Sequence, residues 1–495
     1  MPFRILDLPN ELIREIIRAL PFKTVFTIQH VNHRFHGLAQ DLLYKRLGDI
    51  TSDNSGGVCL TSLDALELLR LFNRKPYLVN RVQSMCINWD WESGCVPDLE
   101  DSRCLEDPMT EVDLAIWARE VKALELTEER FPYMPYLESG DYFYAGDRST
   151  GFVDVALPLL LAKLVNLEVL ECRGYAHGAF CFPSMWQTFK QPVFRNLQRL
   201  IWTDYDGMPC FPVVYIIPMI MVAPRLECVS TTGGIGSMGA DDDVESIFFS
   251  DGRPGQMLLD ALVAPGFQCN ITSLEFIRAN IQPKLFRWLL ARTKKLQRFK
   301  YTVWDEEKFI GIPYRLILGE MMEALIEVRH TLQVLYLDVE LRRRGYLADD
   351  LAVVENLSAQ FESFEDFYQL RKMTVNFYQM VPLRTVLTPM AKPTILDRLP
   401  PNLEYFAFTD GVGRENIRML YDVTLEEYHE EVTKNMLQVL QAKVEGERMQ
   451  SLRSVVTPFP HDEDSRWELA EACRTGGVTC EFWDTASGVS GGDEL

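Results

Sequence analysis

Along the first fifty residues the apolar positions follow a helical period. Leu12, Ile13, Ile16, Ile17 and Leu20 recur at i, i+1, i+4, i+5 and i+8, which predicts one apolar stripe on a short helix. Pro9 is tolerated at that helix's start and Pro21 ends it. A second short helix is expected to carry Val25 and Ile28, the Val31-Asn32 step interrupts it, and a third runs through Phe35, Leu38, Leu42 and Leu43. A unit of this size is expected to be too small to bury a core alone, so its apolar faces imply a partner.

Further along, the period changes to apolar-x-x-apolar-x-apolar. The pattern starts at Val82, Val121, Leu167, Leu197, Leu226, Leu274, Leu296, Leu332, Leu370, Leu403 and Leu452. The residue after the first anchor is Glu or Gln in eight of these eleven segments, so the similarity extends beyond hydrophobicity. Thr231, Ala279 and Thr457 replace the last anchor in three of them. Helical patterns fall between the anchors at Leu63 to Phe72, Lys284 to Arg292, Leu316 to Val328 and Leu425 to Val444. Each unit therefore reads as a strand plus a helix, with successive strands side by side in parallel. Counting from the first anchor, positions 1, 4 and 6 should point into a core. Leu167, Leu170, Leu197, Leu200, Leu296, Phe299, Leu332 and Leu335 are the expected core. Positions 3, 5 and 7 should point the other way. Anchor spacing runs irregularly from 22 residues (Leu274 to Leu296) to 49 (Leu403 to Leu452).

The opening Leu8, Pro9, Glu11 and Leu12, followed by Ile16, Leu20, Val25, Ile28, Val31, Arg34 and Phe35, resembles an F-box. The tryptophan usual near that module's end is absent, with Tyr44 and Leu47 in its neighbourhood. The repeats look like the degenerate leucine-rich repeats that accompany many fungal F-box proteins, although the asparagine usual after the strand is mostly missing. These resemblances imply an α/β chain: a three-helix F-box at 1–50, a helical linker at 51–81, an irregular leucine-rich-repeat-like solenoid at 82–484 with a parallel sheet on its concave face, and a flexible tail at 485–495. They also imply a non-catalytic substrate-recognition subunit of a Skp/cullin/F-box ubiquitin ligase, or alternatively a scaffold bound to the adaptor without ligase activity. The partners would be the Skp adaptor, the cullin scaffold and an unknown target protein. Leu8, Pro9, Leu12, Ile16, Leu20, Val25, Ile28 and Val31 would meet the adaptor.

Charge narrows the partners further. Residues 1–50 hold seven Lys/Arg and five Asp/Glu, so the remaining residues carry -23 of the net -21. Such a surface repels phosphate backbones, and nucleic acid is not an expected partner. Against that background the outward repeat positions gather Arg199, Arg278, Arg298 and Lys300 with Phe276, Tyr336 and Tyr405, a set suited to an acidic or phosphorylated target segment.

Eleven cysteines without any C-x-x-C spacing point to free thiols in a reducing compartment and to no zinc site. The charged N-terminal segment does not read as a signal peptide, and the longest apolar run, Phe211 to Pro224, is too short to span a membrane. Cytoplasmic and/or nuclear location is expected, with no membrane partner, no metal and no cofactor. Gly234-Ile-Gly236-Ser-Met-Gly239 fits a dinucleotide fingerprint, but Asp241, Asp242 and Asp243 follow it, so a mobile loop is expected instead. His30, His33 and His36 recur at helical spacing without companion ligands. Insertions at 127–152, 232–255 and 410–424 are candidate binding loops.

Overall fold

The computed structural model describes residues 5, 8–20, 22–48, 62–88, 115–116, 118–119, 159–173, 194–203, 211–212, 223–232, 234–236, 269–281, 283–303, 318–339, 363–380, 395–409, 424–458 and 463–483. The chain divides into two compact units, Met1–Val229 with Phe248–Pro265, and Ser230–Ile247 with Gly266–Leu495. This division falls inside the expected 82–484 domain, and it keeps the N-terminal helices with the first strands. The segment around Val121, the greater part of the three insertions and the tail at 485–495 lie outside the described residues.

In the first unit, α1 (Asn10–Arg18), α2 (Phe22–Ile28) and α3 (His33–Lys45) form the expected helices. Pro9 is the N-cap residue of α1, and the Asn32 side chain accepts from the Phe35 N–H at 2.9 Å to cap α3. The chain leaves α3 directly into β1 (Arg46–Leu47), whose Leu47 is buried. After α4 (Ser62–Arg74) and a 3₁₀ turn (Pro76–Arg81), β2 (Ser84–Asn88), β3 (Val169–Arg173) and β4 (Arg199–Thr203) follow in parallel order β1-β2-β3-β4. Arg46 lies opposite Ser84, Ser84 opposite Val169, and Val169 opposite Arg199. The short β5 (Phe211–Pro212) comes next, and β6 (Cys228–Thr232) contains the division between the units.

The second unit holds the short parallel pair β7 (Gly234–Gly236) and β9 (Asn280–Ile281). Its main strands are β8 (Ser273–Ile277), β10 (Arg298–Val303), β11 (Val334–Val339), β12 (Lys372–Asn376), β13 (Tyr405–Thr409), β14 (Ser454–Pro458) and β15 (Thr479–Trp483), parallel and adjacent in that order. Its helices are α5 (Pro283–Arg292), α6 (Leu318–Ile326), α7 (Phe377–Met380), α8 (Ile395–Arg398), α9 (Leu425–Val444) and α10 (Glu463–Gly476). Thr424 and Glu427 close a reciprocal capping box on α9, consistent with the clear start of that helix in the sequence. The expected strand-plus-helix alternation holds from β8 through β11. The segment after Leu452 contains an additional helix and strand, α10 and β15, that the anchor pattern did not reveal.

Several strands begin the same way. The first anchor donates its N–H to the carbonyl three residues back, as in Leu167 to Leu164 at 3.0 Å, Leu226 to Ala223 at 3.0 Å, Leu296 to Thr293 at 2.9 Å, Leu370 to Phe367 at 3.0 Å and Leu452 to Met449 at 3.0 Å. Position 2 then joins repeat to repeat through the backbone: Gln198 donates to Glu168 at 2.8 Å and Glu227 to Gln198 at 2.9 Å, while Gln333 donates to Gln297 at 2.7 Å and Glu404 to Arg371 at 2.7 Å. The residue just before the first anchor supplies a side-chain lash. Asn166 Nδ2 donates to the Asn80 carbonyl at 2.8 Å, Asn196 Nδ2 to the Val165 carbonyl at 3.0 Å and Asn402 Nδ2 to the Tyr368 carbonyl at 2.9 Å. Asparagine thus does recur in these repeats, ahead of the strand rather than behind it, where its amide satisfies an otherwise open turn carbonyl.

All eight expected core anchors are buried. In the second unit the helix layer closes over them: Phe286 of α5 meets Phe299 edge-on at 5.3 Å and lies 5.6 Å from Tyr301. Tyr301 is fully buried because its hydroxyl accepts from the Ile281 N–H at 3.3 Å, and burial pushes its ionisation up. One repeat register needs correction. Phe299 lies opposite Leu274 and Tyr301 opposite Phe276, so the first anchor of this repeat is Ile271 rather than Leu274. Ile271, Leu274 and Phe276 are all buried, Glu275 moves from position 2 to position 5, and Ala279 is not an anchor. The mobile loop expected at Gly234 also needs correction at its start. Ile235 and Gly236 pair with Asn280 and Ile281 of β9, so Gly234–Gly236 is strand.

Among the described residues no helix is long and apolar enough to cross a membrane.

Candidate functional site

The N-terminal helices bury a core of their own. Ile13, Ile17, Val25, Phe35, Leu38, Ala39 and Leu43 make up the buried cluster, with Leu8, Leu20, Ile28 and Leu42 packed against it and partly buried. The expected single stripe on α1 is therefore split. Ile13 and Ile17 face inward, while Leu12 and Ile16, one position earlier on each turn, are 51% and 38% exposed. Val31, at the turn between α2 and α3, is 65% exposed. Two expectations change accordingly: the module has its own core, and Val25 is part of that core rather than of an outer docking face. The reason is that α1, α2 and α3 pack on one another and enclose the residues they share.

The start of the module is pinned to its third helix. Arg34 donates from Nε to Asn10 Oδ1 at 2.8 Å and from an Nη to the Leu8 carbonyl at 2.6 Å. This fixes the Leu8-Pro9 turn beside α3, so Leu12 and Ile16 are presented from a held helix. At the other end Tyr44 is partly buried, and desolvation, with Tyr77 nearby adding to it, raises its ionisation. Tyr44 and the buried Leu47 fill the region where a tryptophan was expected. His30, His33 and His36 are exposed, and among the described residues no group of three or more metal-ligating side chains gathers.

Residues 5–47 match the F-box domain family. The chain carries an F-box. Domains of this family bind Skp adaptors. A comparison with curated proteins gives no match to the chain. The F-box accounts for a small part of the sequence, and among its described residues the large apolar side chains left exposed are Ile5, Leu12, Ile16 and Val31.

The second set of predicted residues, on the outward face of the strands, is only partly assembled. Arg199 lies on β4 of the first unit opposite Val169, whereas the others belong to the second unit. Phe276 is fully buried and faces inward with the core anchors, so it is withdrawn from the candidate face; the register shift of three residues, an odd number, reversed its side. Arg298 and Lys300 do share the outward face of β10. Arg298 Nε is held by Glu275 at 3.1 Å, and the Lys300 ammonium sits 4.9 Å from the centre of the Tyr336 ring on the neighbouring strand. Arg278, just past β8, has left-handed backbone (φ 53°), and its N–H donates to Thr302 Oγ1 at 2.6 Å. Tyr405 lies opposite Lys372 on the position 3 row, and burial raises its ionisation, with Glu481 adding to that effect.

The same face is closed in places. Thr374 at position 5 and Asn376 at position 7 of β12 are buried, and so is Ala407 at position 5 of β13. The accessible outward band thus runs through Arg298, Lys300, Tyr336, Lys372 and Tyr405, nearer the strand starts. Lys372, which the repeat register of the sequence already counts among the outward basic residues, occupies the same position 3 as Arg298.

Proposed function

We propose that this chain is a substrate-recognition subunit of a Skp/cullin/F-box ubiquitin ligase. Its F-box would dock on the Skp adaptor through Leu12, Ile16 and Val31, with Leu8, Pro9, Leu20 and Ile28 shaping the surface around them. One observation carries this reading: an F-box that has already closed its own core still presents large apolar side chains to solvent, and covering them requires a partner. The chain would not catalyse transfer. It would hold a target near a conjugating enzyme, so that the target's lysines meet the enzyme at high effective concentration. For the target side, the band of Arg298, Lys300, Tyr336, Lys372 and Tyr405 offers cations and aromatic rings on a rigid sheet, which suits an acidic segment of a protein.

The test is co-purification of the full chain with the adaptor and cullin, with and without Leu12→Asp and Ile16→Asp. The expected result is that the wild-type chain retains both proteins and the double variant, still folded by circular dichroism, loses both. Undiminished adaptor capture by the folded double variant would overturn the docking surface, and adaptor capture without cullin would support a scaffold outside a ligase. Lys300→Glu with Lys372→Glu should release the target while adaptor binding is retained.

A further inference from the structure

The last helix and last strand place two cysteines together. α10 ends in a Schellman turn: Val478 N–H donates to the Cys473 carbonyl at 2.8 Å, Gly477 N–H donates to the Arg474 carbonyl at 3.3 Å, and Gly477 takes left-handed backbone at φ 64°. That reversal sends the chain straight into β15, where Cys480 lies opposite Val455 of β14. Val455 is one of the inward anchors, so Cys480 turns toward the layer that holds Cys473. Both cysteines are reduced, Cys473 buried and Cys480 partly exposed. The bond from Val478 to the Cys473 carbonyl folds the start of β15 back along the end of α10, so the two side chains share one layer and each thiol shifts the other's ionisation. Pairing with Cys473 holds the Cys480 thiol below its usual range, and the same pairing pushes the Cys473 thiol up, with burial adding to the rise. β15 is the last strand in the sheet order and pairs with β14 among the described residues, so Cys480 sits on an edge that a small reagent can approach.

We infer that Cys473 and Cys480 form a redox-active dithiol whose reaction partner is a small disulfide such as oxidised glutathione. The Cys480 thiolate attacks one sulfur of the disulfide, forming a mixed disulfide and releasing one glutathione thiolate. Cys473 then loses its proton and attacks the Cys480 sulfur, forming the Cys473–Cys480 bond and releasing the second glutathione. The two protein thiols are oxidised, one glutathione disulfide is reduced to two thiols, and the two protons leave on them. The more acidic, partly exposed Cys480 is the attacking thiol, and the buried Cys473 resolves the intermediate. Closure brings the two sulfurs to a covalent distance of about 2.05 Å and ties the end of α10 to the edge strand.

The test treats the full chain with oxidised glutathione and maps every cysteine by peptide mass spectrometry. The expected result is loss of both thiols together, with the peptides containing Cys473 and Cys480 joined and no glutathione retained on Cys480. In Cys473→Ser the glutathione adduct should persist on Cys480, and in Cys480→Ser the Cys473 thiol should stay reduced. A stable adduct on Cys480 of the wild-type chain, a link from either cysteine to a different one, or oxidation elsewhere while both remain thiols would each overturn the assignment. Should a serine variant lose its fold by circular dichroism, the wild-type map alone decides.

Discussion

The F-box and the strands of the second unit handle their apolar residues in opposite ways. The F-box encloses seven buried apolar side chains and leaves Leu12, Ile16 and Val31 in solvent. From β8 to β13 the inward anchors are buried, and charged or aromatic groups such as Lys300, Tyr336, Lys372 and Tyr405 occupy the outward band. A small helical module has too little interior to hide all its leucines and isoleucines, so the remainder becomes an adhesive surface. A parallel strand alternates its faces at every residue, so it can bury each anchor completely and keep its outer side polar. In the proposed function the first region associates by desolvation and the second selects by polar contacts.

The largest effect separating the two regions should come from the strand core. Phe299→Ala removes a buried ring packed on Phe276, Phe286 and Tyr301, and should cost about 3–5 kcal/mol in denaturant unfolding. Leu12→Ala should leave stability within about 0.5 kcal/mol, because the side chain is half exposed. A stability loss for Leu12→Ala as large as that of Phe299→Ala would erase the contrast.

Binding should reverse the ranking. Leu12→Asp or Ile16→Asp should weaken adaptor capture by about 2 kcal/mol or more, roughly thirtyfold in calorimetry, while Phe299→Ala leaves the affinity of the folded protein unchanged. The turn lashes come next in size. Asn196→Ala deletes the donor to the Val165 carbonyl and the acceptor from Arg225 at 2.9 Å, and should cost about 1 kcal/mol, read as a lower unfolding midpoint.

The smallest effect belongs to the surface of the second unit. Lys294 donates to Glu327 at 2.6 Å, and that bond is the main cause holding the Glu327 carboxyl below the usual carboxylate range. A folded-state value below the unfolded one contributes stability above the unfolded value and loses it as pH falls through the folded one. The pair is more than a third exposed, so screening limits it to about 0.5 kcal/mol or less at neutral pH. Glu327→Gln should show that small loss at neutral pH and none once wild-type Glu327 is protonated. A larger loss would mean that outer charges stabilise these strands.

Local rules made much of this legible. The Leu8-Pro9 opening, the break at Asn32 and the period of α1 located the three helices, because caps and helical spacing act within a few residues. The repeated 1, 4, 6 anchors located the strands and their buried side, since alternation is a property of each strand. Where two overlapping frames were both apolar, at Ile271 and Leu274, the pattern could not choose. Only pairing of Leu274 with Phe299 decided it, and with it the inward direction of Phe276. β1 is two residues long and β7 begins with glycine, so neither has a signal that short-range propensity can carry; both exist through their pairing partners.

The sequence by itself determined which residues are apolar and with what period, and so the elements, the F-box resemblance and the candidate anchors. The tertiary structure decided which apolar residues are spent on internal packing. It enclosed Ile13, Ile17 and Val25 and left Leu12, Ile16 and Val31 outside, a choice that depends on how three helices cross and not on the hydrophobicity of any one of them. It likewise placed Glu275 beside Arg298, Lys300 over Tyr336, and Cys480 in the layer of Cys473. In each case the partners come from separate elements, and packing, not composition, sets the distance between them.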